Sequence, residues 1–407
     1  MDKADRKPLR VLYVTSIYKP AYVYGGPARS IPALCEGMAR AGADVTVFTT
    51  NANGSSRLNV PVGRPLDIDG VRVCYFPLAR DLFFYSPALA SACREHVSEF
   101  DIVTIDSLFG YAFGAASQAC ASAKVPYIVP LRGQLLPWAL RQKRWKKQLY
   151  LSLFGRRYLN GAASLHCTDY TEAKAVSALG LRSPTFIVPN GLDLAHYQKL
   201  PARGAFRKRL GVRPEAFLLL LSGRLHHTKH PDIAIEVLSA CQRVPQGVHL
   251  ALIGPDEVGL VKTLHAQAKR LSCLERLHIT GLLQGTDLLQ ALVDSDLMLM
   301  PSQSENFGMS ALEALAVGLP IITSTGVPVG HWGVKAGAGR MVSCTAEAFT
   351  RETKELLTHP EQLELMGKRG RSLVKQEFAV TIVGQRMIDQ LQAIVSEERS
   401  LSRRSAI

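Results

Sequence analysis

The chain has 407 residues, 47% hydrophobic and 20% charged, a balance that excludes disorder and suits a globular protein with a sizeable core. Such a length accommodates two domains of ordinary size. A net charge of +14 favours an anionic partner (a phosphate-bearing substrate, acidic lipid headgroups or nucleic acid) without choosing among them.

The polar start MDKADRKPLR and the short apolar run behind it predict no secretory leader. No stretch approaches the ~18 uninterrupted apolar residues that cross a bilayer. The eight cysteines (Cys35, Cys74, Cys93, Cys120, Cys167, Cys241, Cys273, Cys344) form no C-x-x-C pair and no metal-ligand spacing. Reduced, buried thiols in a cytosolic protein are expected.

The first predicted strand is VLYVTS (11–16), followed by a Gly-Gly loop and the helical ARSIPALCEGMARAG. In that loop Gly25 and Gly26 precede Pro27 at a helix start, where free N–H groups suit a phosphate. An ordinary strand-to-helix turn reads equally well. Further strands are expected at DVTVFTT, VRVCYF, DIVTID, YIVPL, LHCTD and TFIVPN, with helical runs between most of them. Short apolar runs alternating with helices predict a parallel sheet covered on both faces.

The pattern restarts after PNGLDLAHYQKLPARG, a Pro/Gly-bearing stretch that reads as a linker. Strands are expected at 217–223, 249–254, 277–281, 297–302, 320–324 and 339–343. Two open α/β domains in tandem predict a cleft, with ligands beyond the carboxyl ends of the strands. The last helical pattern, near 380–396, should run into a frayed tail, ERSLSRRSAI.

Two loops of the second half carry chemistry. In LLLLSGRLHHTKHPD, Arg224 and Lys229 follow a buried strand and form a candidate diphosphate clamp, or else are solvated loop charges. His226, His227 and His230 lack the H-E-x-x-H pattern, and Pro231 places them in a loop, so no metal site is expected. In PSQSENFGMSALEALAVGLPIITS, Glu305 and Glu313 are separated by seven residues. A helix predicted from Met309 has Met309, Leu312, Leu315, Ala316 and Leu319 on its apolar face, with Glu313 beside that stripe. Glu313 is placed to accept hydrogen bonds from the two hydroxyls of a ribose. Glu305 stands beside the backbone amides of 306–309, an arrangement suited to a polyhydroxylated ring joined to a phosphate. Capping by Glu305 and surface pairing by Glu313 are the structural alternatives. No Walker A or G-x-G-x-x-G sequence occurs. The triplets DID (67–69) and DSD (294–296) could suggest a metal-bound nucleotide-sugar site, but they read better as a turn into a strand and a helix end.

These residues carry a resemblance. GGPARS, VPNGLD, GRLHHTK, LIGPDE and above all the E-x7-E block resemble the retaining glycosyltransferases of family 4, over nearly the whole chain. The resemblance implies the GT-B fold: two Rossmann-like doubly wound domains facing a central cleft, with a C-terminal helix crossing back. Expected limits are 1–195 for an acceptor-binding domain, 196–380 for a nucleotide-sugar-binding domain and 381–407 for the crossover helix and tail. It further implies that Arg224 and Lys229 hold the donor's diphosphate and that Glu313 binds the ribose. Glu305, with Asn306, Phe307, Gly308 and Met309, would hold the sugar, and Leu282 and Leu283 would flank the base. Gly25 and Gly26 would approach from the first domain. No metal or cofactor is implied; Glu305 is a positioning residue and the leaving phosphate helps to deprotonate the acceptor. Where many relatives have a histidine after the fifth strand, this chain has Arg132 and Gly133, placed on the acceptor side. Its PRG-like and PWAL sequences resemble a subset of bacterial surface-polysaccharide transferases. No role is assigned to Asp169 of HCTDYTEAK.

The segment RQKRWKKQLYLSLFGRR (141–157) carries seven basic residues beside Trp145, Leu149, Leu151, Leu153 and Phe154. A helix of this kind lies in an anionic membrane interface, or packs its apolar side on the sheet. Nucleic acid is not expected, because no recognition fold accompanies the patch. The reading is therefore a hexosyltransferase acting on a saccharide or lipid-linked saccharide. It is expected in the cytoplasm, peripheral on the inner face of the cytoplasmic membrane, in exopolysaccharide, capsule or lipopolysaccharide assembly. The alternatives are a soluble acceptor, as in sucrose- or trehalose-type synthesis, and a non-catalytic basic binding protein.

Overall fold

The computed structural model describes residues 7–404; the first six residues of the polar start and the last three of the expected tail lie outside the described residues. Two compact units are present. One holds the chain through Gly191 together with everything from Phe378 onward, and the other is Leu192–Glu377.

The first unit's sheet runs, in spatial order, Thr185–Ile187, Ser164–Cys167, Tyr127–Pro130, Ile102–Ile105, Arg10–Val14, Asp44–Thr50, Val71–Phe76 and Pro65–Ile68. All neighbours pair parallel except the last, which is antiparallel to Val71–Phe76. Alternate residues of the first strand feed two cores. Leu12 and Val14 pack with Val103, Val129 and Phe113 on one face. Val11 and Tyr13 pack with Ile31, Met38 and Val45 on the other. Burial on both faces is why these strands read as continuous apolar runs. The edge strand was not expected, because its short, half-exposed sequence offers no apolar run. In DID, Asp67 and Ile68 belong to that strand, while Asp69 makes the turn with Gly70, both at positive φ.

The helix Val380–Arg404 returns to this unit and places Val383, Met387, Leu391 and Val395, four residues apart, against the helix Pro27–Arg40. The two helices touch backbone to backbone: a Cβ on Gly37 would overlap the Val380 carbonyl, and one on Gly384 would overlap Gly37. The chain therefore crosses back, as expected.

The second unit has six parallel strands in the order Leu277–Gly281, Val248–Ile253, Phe217–Ser222, Leu297–Met300, Ile321–Ser324, Gly339–Val342. Numbered within the unit this is three-two-one-four-five-six, the Rossmann order, which reverses between Phe217–Ser222 and Leu297–Met300. The DSD triplet is structural. Buried Asp294 accepts from the Gly204 and Phe206 N–H groups, each at 2.6 Å, and Asp296 accepts from Leu218 N–H at 2.7 Å.

One expectation is corrected. The basic segment 141–157 is not one helix: Pro137–Arg141 ends at Gln142, and Lys143 turns the chain with φ 50. The helix then resumes as Arg144–Tyr150, widens to a π-turn over Leu151–Gly155 and closes with Arg156–Asn160.

Candidate functional site

In an open α/β sheet the ligand crevice lies beyond the strand carboxyl ends where the order reverses. In the second unit the segments leaving that point are 223–230 and 301–308. Gly223 and Gly254 end neighbouring strands with φ 147 and 149, and a Cβ on Gly254 would overlap the Gly223 carbonyl. The stem of Lys229, from the turn His227–Lys229, passes 3.7 Å from where a Gly223 Cβ would stand. Gln303 N–H donates to the Thr228 carbonyl at 2.8 Å, tying the two segments together.

Glu305 N–H donates to the Gly326 carbonyl at 2.8 Å, and the Phe307 carbonyl accepts from Val329 N–H at 2.9 Å. Gly308 then turns the chain at φ 98, where Val327 and Val329 leave no room for a Cβ. The helix Met309–Val317 starts there with no side-chain cap. The N–H groups of Met309 and Ser310 therefore lack an intrahelical acceptor.

On this frame the Lys229 ammonium contacts the Glu305 carboxylate, with the two side chains 16% and 15% exposed. Glu313 occupies the one half-buried position of 311–317, where every other residue is buried. The carboxylate thus takes the one position of this stretch that is not fully buried. Arg224 lies outside the pair, with its Nη1 3.0 Å from Glu257 on the surface. Leu282 is exposed and Leu283 half-buried, just past the strand Leu277–Gly281. The histidines serve the turn: His226 Nδ1 lies 3.0 Å from Thr228 Oγ1, and His230 Nδ1 3.5 Å from Asp232.

In the first unit the order reverses between Arg10–Val14 and Ile102–Ile105. Gly25 ends the turn Tyr22–Tyr24, and Gly26 precedes the helix Pro27–Arg40 with no side-chain cap. A Cβ on either would meet nothing within 4 Å. Space, not packing, surrounds them. Arg132 is placed very differently. Its Nε donates to Asp106 Oδ2 at 2.6 Å, Nη1 to Ser30 Oγ at 3.1 Å and Asn190 Oδ1 at 3.4 Å, and Nη2 to Tyr13 OH at 3.0 Å. Gly133 N–H donates to Glu172, whose other carboxylate oxygen accepts from Thr168 N–H at 2.7 Å and its hydroxyl at 3.0 Å. These polar groups point inward. Burial pushes the Glu172 carboxyl and the Tyr13 phenol up, and it opposes the Arg132 charge, but Tyr13 and Asp106 outweigh that and hold the guanidinium ionised. Asp169 caps the helix Tyr170–Ser177, accepting from Glu172 N–H at 2.9 Å.

Sequence reasoning missed Asp106, Tyr13, Ser30 and Asn190 as the partners of Arg132, and Gly223 and Gly254 as the paired strand ends. A carboxylate closing the apolar run DIVTID, and a glycine closing both LLLLSG and LALIG, were the available signals.

Residues 25–191 match a family described as Glycosyl transferase 4-like domain, and residues 202–373 one described as Glycosyl transferases group 1. D-inositol 3-phosphate glycosyltransferase of Segniliparus rotundus is 30% identical over 188 residues. That alignment covers 45% of this chain and spans only 41% of the relative's length. Glycogen synthase of Mycobacterium tuberculosis is 25% identical over 397 residues, 91% of each chain. Among solved structures, Anabaena HepE in complex with UDP and glucose matches with a TM-score of 0.73 at 20% identity, covering 95% of this chain and 100% of that one. WaaG, a glycosyltransferase involved in lipopolysaccharide biosynthesis, matches at 0.65 and 18% identity, over 94% and 99% of the two chains. At these identities the two structures are likenesses of fold.

Proposed function

The chain belongs to the GT-B glycosyltransferases, and from that premise we propose that it moves a hexosyl group from a nucleotide-diphosphate sugar to a lipid-linked saccharide, with retention. The observation that carries this is the contact of Lys229 with Glu305 where the second unit's strand order reverses. It brings a cation for phosphate beside a carboxylate for sugar hydroxyls, next to uncapped helix N–H groups.

In this reading Lys229 takes the donor's phosphate and the Met309 and Ser310 N–H groups receive a further oxygen. Charge grows on those oxygens as the glycosidic bond breaks, so groups already in place favour the transition state without reorganising. Arg224 joins by exchanging Glu257 for the diphosphate. That exchange is inexpensive, since an exposed pair contributes about 0–1 kcal/mol. Glu313 accepts from the ribose hydroxyls, and Leu282 and Leu283 flank the base. Glu305 with 306–309 positions the sugar, no metal is required, and the leaving phosphate accepts the proton of the attacking hydroxyl on the same face. Anabaena HepE was solved with UDP and with UDP-glucose, which supports a uridine donor by likeness of fold.

The first unit is assigned the acceptor. Gly25 and Gly26 offer open backbone to it, and Arg132 with Gly133 acts from beneath by holding the strand-end loops. The basic segment 141–157 supports contact with an anionic membrane, and no described helix is long and apolar enough to cross one.

Glu313→Ala should weaken nucleotide binding about tenfold by titration calorimetry, the loss of a charged hydrogen-bond acceptor. Thermal shifts with UDP-, GDP- and ADP-sugars should identify one preferred donor. Unchanged nucleotide affinity of the Glu313 variant, with no sugar nucleotide raising the melting temperature, would refute the assignment.

A further inference from the structure

From Ser107 to Thr168 the sequence contains no acidic residue at all, while its cations gather in 141–157. The structure gathers them further. A groove of about 290 Å³ is lined by Arg141, Arg144 and Arg156 together with Leu140, Leu151 and Leu179. None of the three guanidinium groups has a side-chain partner among the described residues. Nearby, burial and then the charge of Lys143 push the Lys147 ammonium down.

Helical geometry explains the second half of the arrangement. Arg144, Gln148, Ser152 and Arg156 recur every four residues along one stripe and form a wall of the groove. One residue further round, Trp145, Leu149 and Leu153 recur at the same spacing, and each is more than half exposed, as is Phe154. Two fork-shaped cations of that stripe, Arg144 and Arg156, with Arg141 from the preceding helix, thus stand alongside a row of uncovered apolar side chains. A free anion would satisfy only the cations. A second copy of this chain would bring the same positive segment against itself, with no carboxylate in it to pair. A lipid phosphate satisfies both, with its headgroup in the groove and its acyl boundary on the tryptophan and leucines.

We infer that this groove is a phosphate site for an anionic lipid in a bilayer, reading Arg141, Arg144 and Arg156 as its ligands. The inference deepens the membrane-surface reading of the segment and rests on it.

The test compares R141Q/R144Q/R156Q with K262Q/K269Q/R270Q, which removes the same charge from exposed positions of the helix Val261–Arg270 and its end. Co-sedimentation with phosphatidylcholine vesicles containing phosphatidylglycerol should fall about tenfold or more for the first variant and under about twofold for the second. Circular dichroism melting should match wild type for both. Equal losses would overturn the groove and leave a general electrostatic membrane contact standing. A wild-type protein that stays in the supernatant at low salt would overturn both readings. In a vesicle-free arm, inorganic phosphate is added alone. Stabilisation by phosphate that the first variant abolishes, with vesicle binding unchanged, would assign the groove to a free anion and overturn the lipid.

Discussion

Beyond the strand carboxyl ends of each sheet, near the point where the order reverses, the chain sets a cation against a carboxylate, and the two pairs differ in kind. In the first unit Arg132 and Asp106 are each 4% exposed, and Tyr13, Ser30 and Asn190 take up more of the guanidinium. In the second, Lys229 and Glu305 remain about four times as exposed, and Glu305 is the only side-chain partner of Lys229 among the described residues. A rigid fork with four internal acceptors cannot exchange them for a ligand without leaving buried charge behind. A flexible ammonium with one carboxylate can. One fold thus supplies a fastening in one unit and, in the proposed reading, a receptive site in the other.

The largest expected effect tests the fastening. Arg132→Met takes the cation from buried Asp106, leaving it only the Tyr13 hydroxyl and the Ser107 N–H, and breaking a buried pair in this way costs about 3–5 kcal/mol. Scanning calorimetry should show the transition of the first unit moved well down, with that of Leu192–Glu377 nearly in place. A wild-type thermogram would dissolve the contrast from this side.

Acid should loosen the same region next. Burial lowers the His166 pKa; its hydrogen bond to the Val188 carbonyl opposes this and the Arg132 charge assists it, bringing the imidazole down to about 4. Between about 6.5, the unfolded value, and that figure, the unfolded chain binds a proton the native chain refuses. The stability His166 contributes is therefore complete above pH 6.5 and is lost as pH falls toward 4, by up to about 3 kcal/mol. His166→Gln should flatten the fall in melting temperature between pH 7 and 4.5. His249 of the second unit is also held near 4, by burial and then by His278, but it is half-exposed and should matter less. Identical pH profiles for wild type and the His166 variant would remove this distinction.

The contrast also marks what was legible in the sequence. Strands buried on both faces announce themselves as apolar runs, and the Glu305–Glu313 spacing announced the second unit's loop and helix. Pro65–Ile68 did not, because an edge strand alternates weakly and borrows its order from Val71–Phe76. Nor did the commitment of Arg132. An arginine after a strand reads the same whether it faces a ligand or a buried aspartate, and Asp106, Ser30 and Asn190 come from three distant segments that only the fold brings together. Breaks inside 141–157 depended on Lys143 taking a left-handed backbone, which its side chain does not foretell.

The smallest expected change in stability carries the sharper test. Lys229→Met removes the cation from a partly buried pair, so the unfolding free energy should move by about 1–2 kcal/mol, well short of Arg132→Met. Turnover of the preferred sugar nucleotide should nonetheless fall about a hundredfold, the loss expected when one preorganised charge no longer meets the developing charge of the leaving group. Lys229→Arg should recover little of it, because a planar fork cannot follow the ammonium's path beside Gly223. If instead Lys229→Met melts as early as Arg132→Met and turns over substrate in proportion to its folded fraction, both pairs are fastenings. The phosphate must then be received elsewhere, with Arg224 and Glu257 the next pair to open.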